Sequence, residues 1–192
     1  KTKFNLKNNK IIDYANSKIR SDFMDIFLCS KCTFAITTTS GYQELPIVFR
    51  KPLVQICTPL ATIHSYKNNF VILTKHHLKN NRRMSLSEIF SSGAAFKLST
   101  KAFQDLGIKL EDNSPEEIQD AVIDMVNIVE NLKKDSKIEQ EMQNKFRLLF
   151  DENYKKYRHI FPGRYWMEYK HHKIIRARYS TKFLEENKYW LN

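Results

Sequence analysis

The sequence predicts an α/β protein, built on a Rossmann-like parallel sheet with flanking helices. Apolar runs rich in β-branched residues occur at 33–38, 53–57 and 69–75, and this composition is typical of buried parallel strands. Segments that carry helix-start signals lie before, between and after these runs. Such alternation indicates parallel strands that are joined by crossover helices.

The length of 192 residues and a hydrophobic content of 42% are sufficient for a substantial core. We expect residues 1–150 to form the sheet domain, incomplete at its N-terminus, and residues 151–192 to form a basic, aromatic segment packed on it. The chain begins at Lys1 rather than at a methionine, so we expect it to be part of a longer or processed protein.

The first elements are short. The run "IIDYA" at residues 11–15 fits either a strand or the edge of a loop. A helix then starts after an N-cap at Ser21 or Asp22, and Phe23, Ile26 and Phe27 give it an apolar face at helical spacing.

The stretch "TTTSGYQELP" at residues 37–46 lies between the first two strands. A strand, a tight Ser40-Gly41 turn and a helix N-terminus form a geometry that can hold a phosphate, because the first N–H groups of a helix are unpaired and its dipole is positive there. The alternative is an ordinary connection between a strand and a helix. We expect the helix that follows to be interrupted at Pro46.

Two later helices carry clear boundary signals. The segment "SLSEIFSSG" predicts a short helix that stops at Gly93. In "DNSPEEIQDAVIDMVNIVENL", Ser114 caps, Pro115 fits the first helical position and Glu117 completes a capping box. The sequence therefore predicts a helix from residue 115 to about residue 132, with an apolar stripe that packs in the core.

The formal net charge of +11 is compatible with a polyanionic partner, but 23 of the 32 basic residues are lysine. Readers of nucleic acids favour arginine for bidentate contacts, so we predict no nucleic-acid partner. No run of about 20 apolar residues is present and the first ten residues are polar, which favours a soluble, intracellular chain.

The cysteine pair in "CSKC", Cys29 and Cys32, fits a redox motif or half of a zinc site. A structural zinc site needs four ligands, and only Cys57 remains. We predict buried free thiols, no disulfide and no metal. The pairs His76-His77 and His171-His172 do not add a ligand set, because neighbouring side chains on a strand point to opposite faces.

From Asp151 onward aromatic and basic residues alternate, a pattern that can stack on bases or lie on an anionic membrane. We favour packing of these aromatic rings on the domain, with the charged ends in water.

The segment "TFAITTTSGYQELPIVFRKPLVQI" resembles the donor-nucleotide motif of glycosyltransferases with two Rossmann domains (GT-B) and of the related sugar-nucleotide 2-epimerases. Those proteins carry a strand, a Ser-Gly-Gly turn, a helix with Gln-Glu and a Gly-Lys-Pro before the next strand. The matching residues here are Ser40-Gly41, Gln43-Glu44 and Lys51-Pro52, and Tyr42 stands in place of the second glycine. Over residues 10–130 the chain resembles a bacterial glycosyltransferase family of surface-polysaccharide synthesis.

The resemblance implies the C-terminal, donor-binding half of a GT-B enzyme, with the diphosphate over Ser40 and Gly41 and the ribose hydroxyls on Glu44. The full set of implied donor-binding residues is Thr39, Ser40, Gly41, Tyr42, Gln43, Glu44 and Lys51. The family takes its catalytic base from the first domain, so we predict no base in this chain. Further candidates for donor phosphates are Arg50, Lys75, Arg82 and Arg83, and His64 is a candidate for the cleft.

The expected function is transfer of a sugar from a nucleoside diphosphate donor to a glycan or lipid-linked acceptor, without a cofactor. The implied partner is an N-terminal domain of the same protein, and the implied location is the cytoplasm, with peripheral contact at the inner membrane face. Two alternatives stay open: a sugar-nucleotide 2-epimerase, and a noncatalytic basic α/β module that binds nucleic acid or a membrane through residues 151–179.

Overall fold

The computed structural model describes residues 8–63, 70–161 and 175–192. Its main sheet has four parallel strands in the order β1-β2-β3-β7: Ala35–Thr37, Leu53–Thr58, Phe70–Thr74 and Arg178–Tyr179. The chain is therefore a mixed α/β protein with a parallel sheet and flanking helices, as predicted.

The first two predicted strands are adjacent and parallel, with Ala35 opposite Leu53 and Thr37 opposite Gln55. The third predicted strand is confirmed as β3, whose five residues are all buried. Burial on both faces explains its continuous apolar sequence, because helices cover both sides of a parallel sheet.

Seven α-helices surround the two sheets of the described chain. They are α1 Asp22–Lys31, α2 Glu44–Val48, α3 Leu86–Ser91, α4 Thr100–Asp105, α5 Pro115–Val129, α6 Lys137–Tyr157 and α7 Thr181–Glu186. Short 3-10 turns lie at Tyr14–Asn16, Gly41–Gln43, Leu60–Thr62, Ala94–Phe96 and Lys188–Leu191.

The predicted caps are confirmed at three helices. Ser21 accepts a hydrogen bond from the backbone N–H of Met24 at the start of α1. Ser114 and Glu117 form the capping box of α5, and Gly93 takes the left-handed conformation after α3. Signals in the local sequence therefore predict these helix ends correctly.

A second, antiparallel sheet was not predicted. Its order is β5-β4-β6, formed by Arg82–Arg83, His76–Lys79 and Ile108–Glu111. Asn80 and Asn81 both have positive φ, at 51° and 58°, and make the two-residue turn between β4 and β5. Asparagine tolerates this conformation, so the Asn-Asn pair was the available signal for a hairpin.

The expected interruption at Pro46 is wrong. Pro46 is buried inside α2, which continues to Val48. Proline is tolerated there because it lies in the first turn of the helix, where its missing N–H leaves little unsatisfied. Residues 11–13 of the "IIDYA" run have no regular structure and lead into the first 3-10 turn.

The apolar face of α1 points away from the core. Phe23 is 71% exposed, Ile26 48% and Phe27 40%, and the rings of Phe23 and Phe27 stack with centroids 5.9 Å apart. Cys29 is the buried residue of this helix. The helical spacing was predicted correctly, but the face does not pack on the sheet.

The described part of the C-terminal segment belongs to the core. β7 completes the parallel sheet, and Tyr179, Phe183 and Trp190 are buried. The division expected after residue 150 falls inside α6, which runs without a break from Lys137 to Tyr157. Among the described residues, no helix combines the length and the apolar character needed to cross a membrane.

Candidate functional site

The predicted donor turn lies at the carboxyl end of β1. The chain leaves the strand after Thr37, passes through an extended Ser40 with φ −154°, and enters the Gly41–Gln43 turn and then α2. Ligands of open α/β sheets bind outside the carboxyl ends of the strands, so this turn is at the edge where a site is expected.

The turn is open at its centre. Thr39, Ser40, Gly41 and Glu44 are all exposed. Apart from its two chain neighbours, no described residue has an atom within 4 Å of the position that a Cβ on Gly41 would take. An anion can therefore approach the backbone at Gly41, where a larger side chain would stand in the way.

The side chains of Gln43 and Thr39 form hydrogen bonds with other residues of the protein. The buried Gln43 accepts a hydrogen bond at 3.0 Å from the Nε2 of Gln55, which also donates to the carbonyl of Thr62 at 3.1 Å. The Thr39 hydroxyl lies 2.9 Å from the Thr62 hydroxyl. The structure thus brings these two predicted residues to the turn, where they connect it to the loop after β2.

Tyr42, in the place of the second glycine of the resembled motif, is directed toward α1. Its hydroxyl accepts a hydrogen bond from the Cys29 thiol at 2.9 Å. Burial, followed by this contact with Cys29, raises the pKa of the Tyr42 phenol well above its ordinary value, so the phenol stays protonated. Tyr42 therefore ties the turn to α1.

Lys51 is not brought to the turn. It precedes β2, and Leu53 of that strand pairs with Ala35 at the start of β1, so Lys51 lies at the amino edge of the sheet. Burial raises the pKa of the nearby Cys32 thiol, as does Cys29, while the charge of Lys51 opposes both effects.

The other candidate phosphate ligands are dispersed. Arg82 is paired with Glu88 at 2.5 Å, and Arg83 donates to Asn187 at 3.4 Å. Arg50, with φ 56°, lies in the turn between α2 and β2. Lys75, at the end of β3, lies at the carboxyl edge and is paired with Asp112. His64 lies outside the described residues, as do His171 and His172.

The three cysteines are free thiols, and the predicted burial is confirmed for Cys29 alone. Cys29 is buried, while Cys32 and Cys57 are half-buried, and the Cys32 thiol donates to the carbonyl of Cys29. Over residues 8–63, 70–161 and 175–192, no three histidine, cysteine or acidic side chains converge in a way that could hold a metal ion.

The carboxyl edge also holds a polar cluster that sequence reasoning missed. Asn113 accepts a hydrogen bond from the backbone N–H of Cys57, where β2 has an irregular register and φ is 48°. Its Nδ2 donates to the carbonyl of Thr74. Asn113 thus fixes the ends of β2 and β3 relative to each other, and a polar residue just before the Ser114 cap was the only local signal for it.

Next to this cluster lies a cavity of about 630 Å³ between the ends of β2 and β3 on one side and α4 with β6 on the other. Pro59 and Lys75 line the first side, and Phe103, Ile108 and Leu110 line the second. The turn follows β1 and Lys75 follows β3, and these strands are parallel, so the turn and the cavity lie at the same carboxyl edge of the sheet.

Comparisons with models of protein families, with curated proteins and with solved structures find no match.

Proposed function

We propose that this chain is the donor-binding part of a glycosyltransferase, which binds a nucleoside diphosphate sugar at the turn Thr39–Glu44 and passes the sugar to a surface-glycan acceptor. One observation carries the proposal. An exposed Ser-Gly turn lies at the carboxyl end of a parallel strand and opens directly into helical backbone, with free space above Gly41.

The chemistry of the turn suits a diphosphate. Backbone N–H groups at the start of a helical segment favour an anion, and the hydroxyl of Ser40 can donate one more hydrogen bond. Glu44 follows one turn later and is exposed, and its carboxylate, to which Gln43 donates at 3.5 Å, has the acceptor capacity to take a hydrogen bond from a ribose hydroxyl as well. A leaving diphosphate can be stabilised by these groups without a metal ion.

The proposed enzyme also needs a second domain, because neither a catalytic base nor an acceptor site is assigned to this chain. The apolar face of α1, formed by Phe23, Ile26 and Phe27, supports such a partner. Monomeric proteins seldom leave large adjoining apolar side chains in water, and α1 leads directly into β1 at the edge of the sheet. We propose that a further domain of the same polypeptide packs on this face, in a cytoplasmic enzyme that contacts the inner membrane face.

The donor site is tested by calorimetric titration of uridine, guanosine and cytidine diphosphates into the wild type and two variants. Glu44→Ala removes a charged hydrogen bond worth about 1.5–3 kcal/mol, so the Kd of the diphosphate that binds should rise roughly 10- to 100-fold. Gly41→Val should also weaken binding, because its side chain fills the free space above the turn.

Glu116→Ala is the matched control, since Glu116 is likewise an exposed carboxylate in the first turn of a helix. It should leave the Kd unchanged. If Glu44→Ala and Gly41→Val bind every nucleotide as well as the wild type while they remain folded, the turn is only a structural connection.

The domain contact has a separate test. Phe23→Ser should leave the thermal midpoint of this chain unchanged, because the ring is 71% exposed, and should lower the midpoint of the complete gene product. Equal midpoints for wild type and variant in the complete product would argue against packing on α1.

A further inference from the structure

The turn that presents Ser40 and Gly41 is attached on both sides to a single residue of the next loop, Thr62. On one side the Thr39 hydroxyl contacts the Thr62 hydroxyl at 2.9 Å. On the other side Gln55 donates both to Gln43, at 3.0 Å, and to the Thr62 carbonyl, at 3.1 Å. Ser40 and Gly41 lie between the two attached residues.

The Thr62 hydroxyl lies at the centre of a hydrogen-bond network. Its hydroxyl donates to the carbonyl of Pro59 at 2.9 Å and lies 2.8 Å from the hydroxyl of Thr58 and 2.9 Å from that of Thr39. The Thr58 hydroxyl also reaches the Pro59 carbonyl, at 3.0 Å, so the single protons of these hydroxyls have more than one arrangement, and Thr62 joins Thr39 to the loop in each of them. The contact with the buried Thr62 hydroxyl therefore orients the Thr39 side chain whichever of the two hydroxyls donates.

This network is buried and well suited to holding a fixed geometry. Gln55 is 1% exposed, and Thr58 and Thr62 are also buried. Gln55 is the one polar side chain in the buried run "LVQ" at the start of β2, and such a residue is retained in a core only with its hydrogen bonds satisfied.

We propose that Thr62, together with Gln55, is a positioning residue that fixes the Ser40-Gly41 turn in the conformation that receives a diphosphate. Thr39 and Gln43 then serve as the attachment points of the turn, while Ser40, Gly41 and Glu44 face the ligand. The positioning role toward a diphosphate rests on the proposed function, whereas the positioning of the turn itself does not.

The test compares Thr62→Val, which replaces the hydroxyl by a methyl group of similar size, with Thr62→Ser, which keeps it. Two quantities are measured on each protein without and with ligand, respectively. The first is hydrogen exchange of the Gln43 and Glu44 amides, which donate to the carbonyls of Ser40 and Gly41 and so report the integrity of the turn. The second is the Kd of whichever of uridine, guanosine or cytidine diphosphate the wild type binds. The matching nucleoside, which lacks phosphate, is titrated alongside.

We expect faster exchange at both amides in Thr62→Val, and a diphosphate Kd raised roughly tenfold, the scale of one lost hydrogen bond. The nucleoside Kd should stay unchanged, and Thr62→Ser should restore both values. Because Thr62 is buried, Thr39→Val and Thr39→Ser repeat the comparison from the exposed side of the same contact.

The proposal is overturned if exchange and diphosphate binding in Thr62→Val equal those of the wild type. It is also overturned if diphosphate and nucleoside lose affinity equally along with a lower thermal midpoint, because that pattern describes general destabilisation. Should the wild type bind none of the diphosphates, the proposed function fails, and the exchange comparison alone decides whether Thr62 holds the turn.

Discussion

His77 is the most strongly perturbed histidine of the described chain. It is 2% exposed, and its Nδ1 lies 3.0 Å from the carbonyl of Lys75. Its Nε2 is buried without a hydrogen-bond partner among the described residues, and its ring packs against Phe103. Burial lowers the pKa of His77 to about 4, so the imidazole is neutral in the folded protein.

This perturbation predicts a pH-dependent stability. Because the folded pKa lies below the unfolded value of about 6.5, the unfolded chain binds more protons between these two values. The stabilisation is therefore complete above pH 6.5 or so and is lost as the pH falls toward 4, by on the order of 3 kcal/mol in total. Urea unfolding of the wild type should show a falling free energy of unfolding from pH 7.5 to 5.

His77→Gln should flatten this dependence, because an amide does not titrate. His159→Gln, at an exposed position, is the control and should keep the wild-type slope. Glu139 does not titrate in this pH range. Hydrogen bonds from Lys133 and from the backbone of Ser136 lower its pKa to about 2, so the stability that it contributes is lost only at more acid pH. Parallel slopes for the two glutamine variants would show that His77 is not the titrating group.

At the level of single residues, the sequence predicted the turn but not the hydrogen bonds that hold it in place. The order of strand, turn and helix around Ser40, Gly41 and Glu44 could be predicted because its signals are local. The attachment of Gln43 depends on Gln55, twelve residues away, and on Thr62 in the following loop. Only the parallel pairing of β1 with β2 brings these side chains together, so no local pattern could reveal the contact.

Among the elements, helix ends were more predictable than sheets. The α5 helix was predicted because Ser114, Pro115 and Glu117 signal its start within four residues. The longer α6 carries the same signal in Ser136 and Glu139, but its polar sequence gives a weaker apolar stripe, and it was missed. The small antiparallel sheet was missed for a different reason: its strands have two to four residues and are too short for a periodic pattern.

The cap of α6 gives a prediction at this scale. Ser136 accepts from the backbone N–H of Glu139 at 3.2 Å, and the Glu139 carboxylate accepts from that of Ser136 at 2.7 Å. Ser136→Ala should lower the free energy of unfolding by about 1 kcal/mol, since it leaves an N–H of the first turn unpaired. Ser91→Ala, at the exposed end of α3, should change the value by less than about 0.5 kcal/mol in the same denaturant titration.

Two glycines with positive φ allow a matched comparison of alanine substitutions. Gly93 has φ 79° and Gly107 has φ 66°, so alanine at either position carries a backbone penalty of about 1–2 kcal/mol. At Gly93 a Cβ would also lie 2.7 Å from the Phe161 ring, whereas at Gly107 it meets no described atom within 4 Å. Gly93→Ala should therefore lower the thermal midpoint more than Gly107→Ala, and equal shifts would mean that Phe161 moves aside at no cost.

At the scale of the whole molecule, the order of the strands places the first and the last strand at opposite edges of the parallel sheet. β1, which follows α1 in the chain, lies at one edge of the parallel sheet. β7 forms the other edge, and the antiparallel sheet and α6 lie between β3 and β7 in the chain. The sequence predicted three of the four parallel strands. The fourth is only two residues long and lies in a basic aromatic segment, where composition indicated a packed tail but gave no sign of a strand.

The C-terminal residues should therefore be needed for the stability of the entire domain. The Trp190 ring lies 4.3 Å from Tyr179 and 5.9 Å from Phe146 between ring centroids, which connects the last turn to β7 and α6. Trp190→Ala removes a side chain that is 3% exposed and should lower the free energy of unfolding by about 3–5 kcal/mol. Removal of Asn192 alone, an exposed residue, is the control and should have little effect in the same urea titration.

Deletion of residues 151–192 takes away β7 and the last third of α6 as well, so we expect that protein to lose its cooperative transition. A cooperative transition at the wild-type midpoint after this deletion would mean that the parallel sheet is complete with three strands and that the C-terminal segment only covers it.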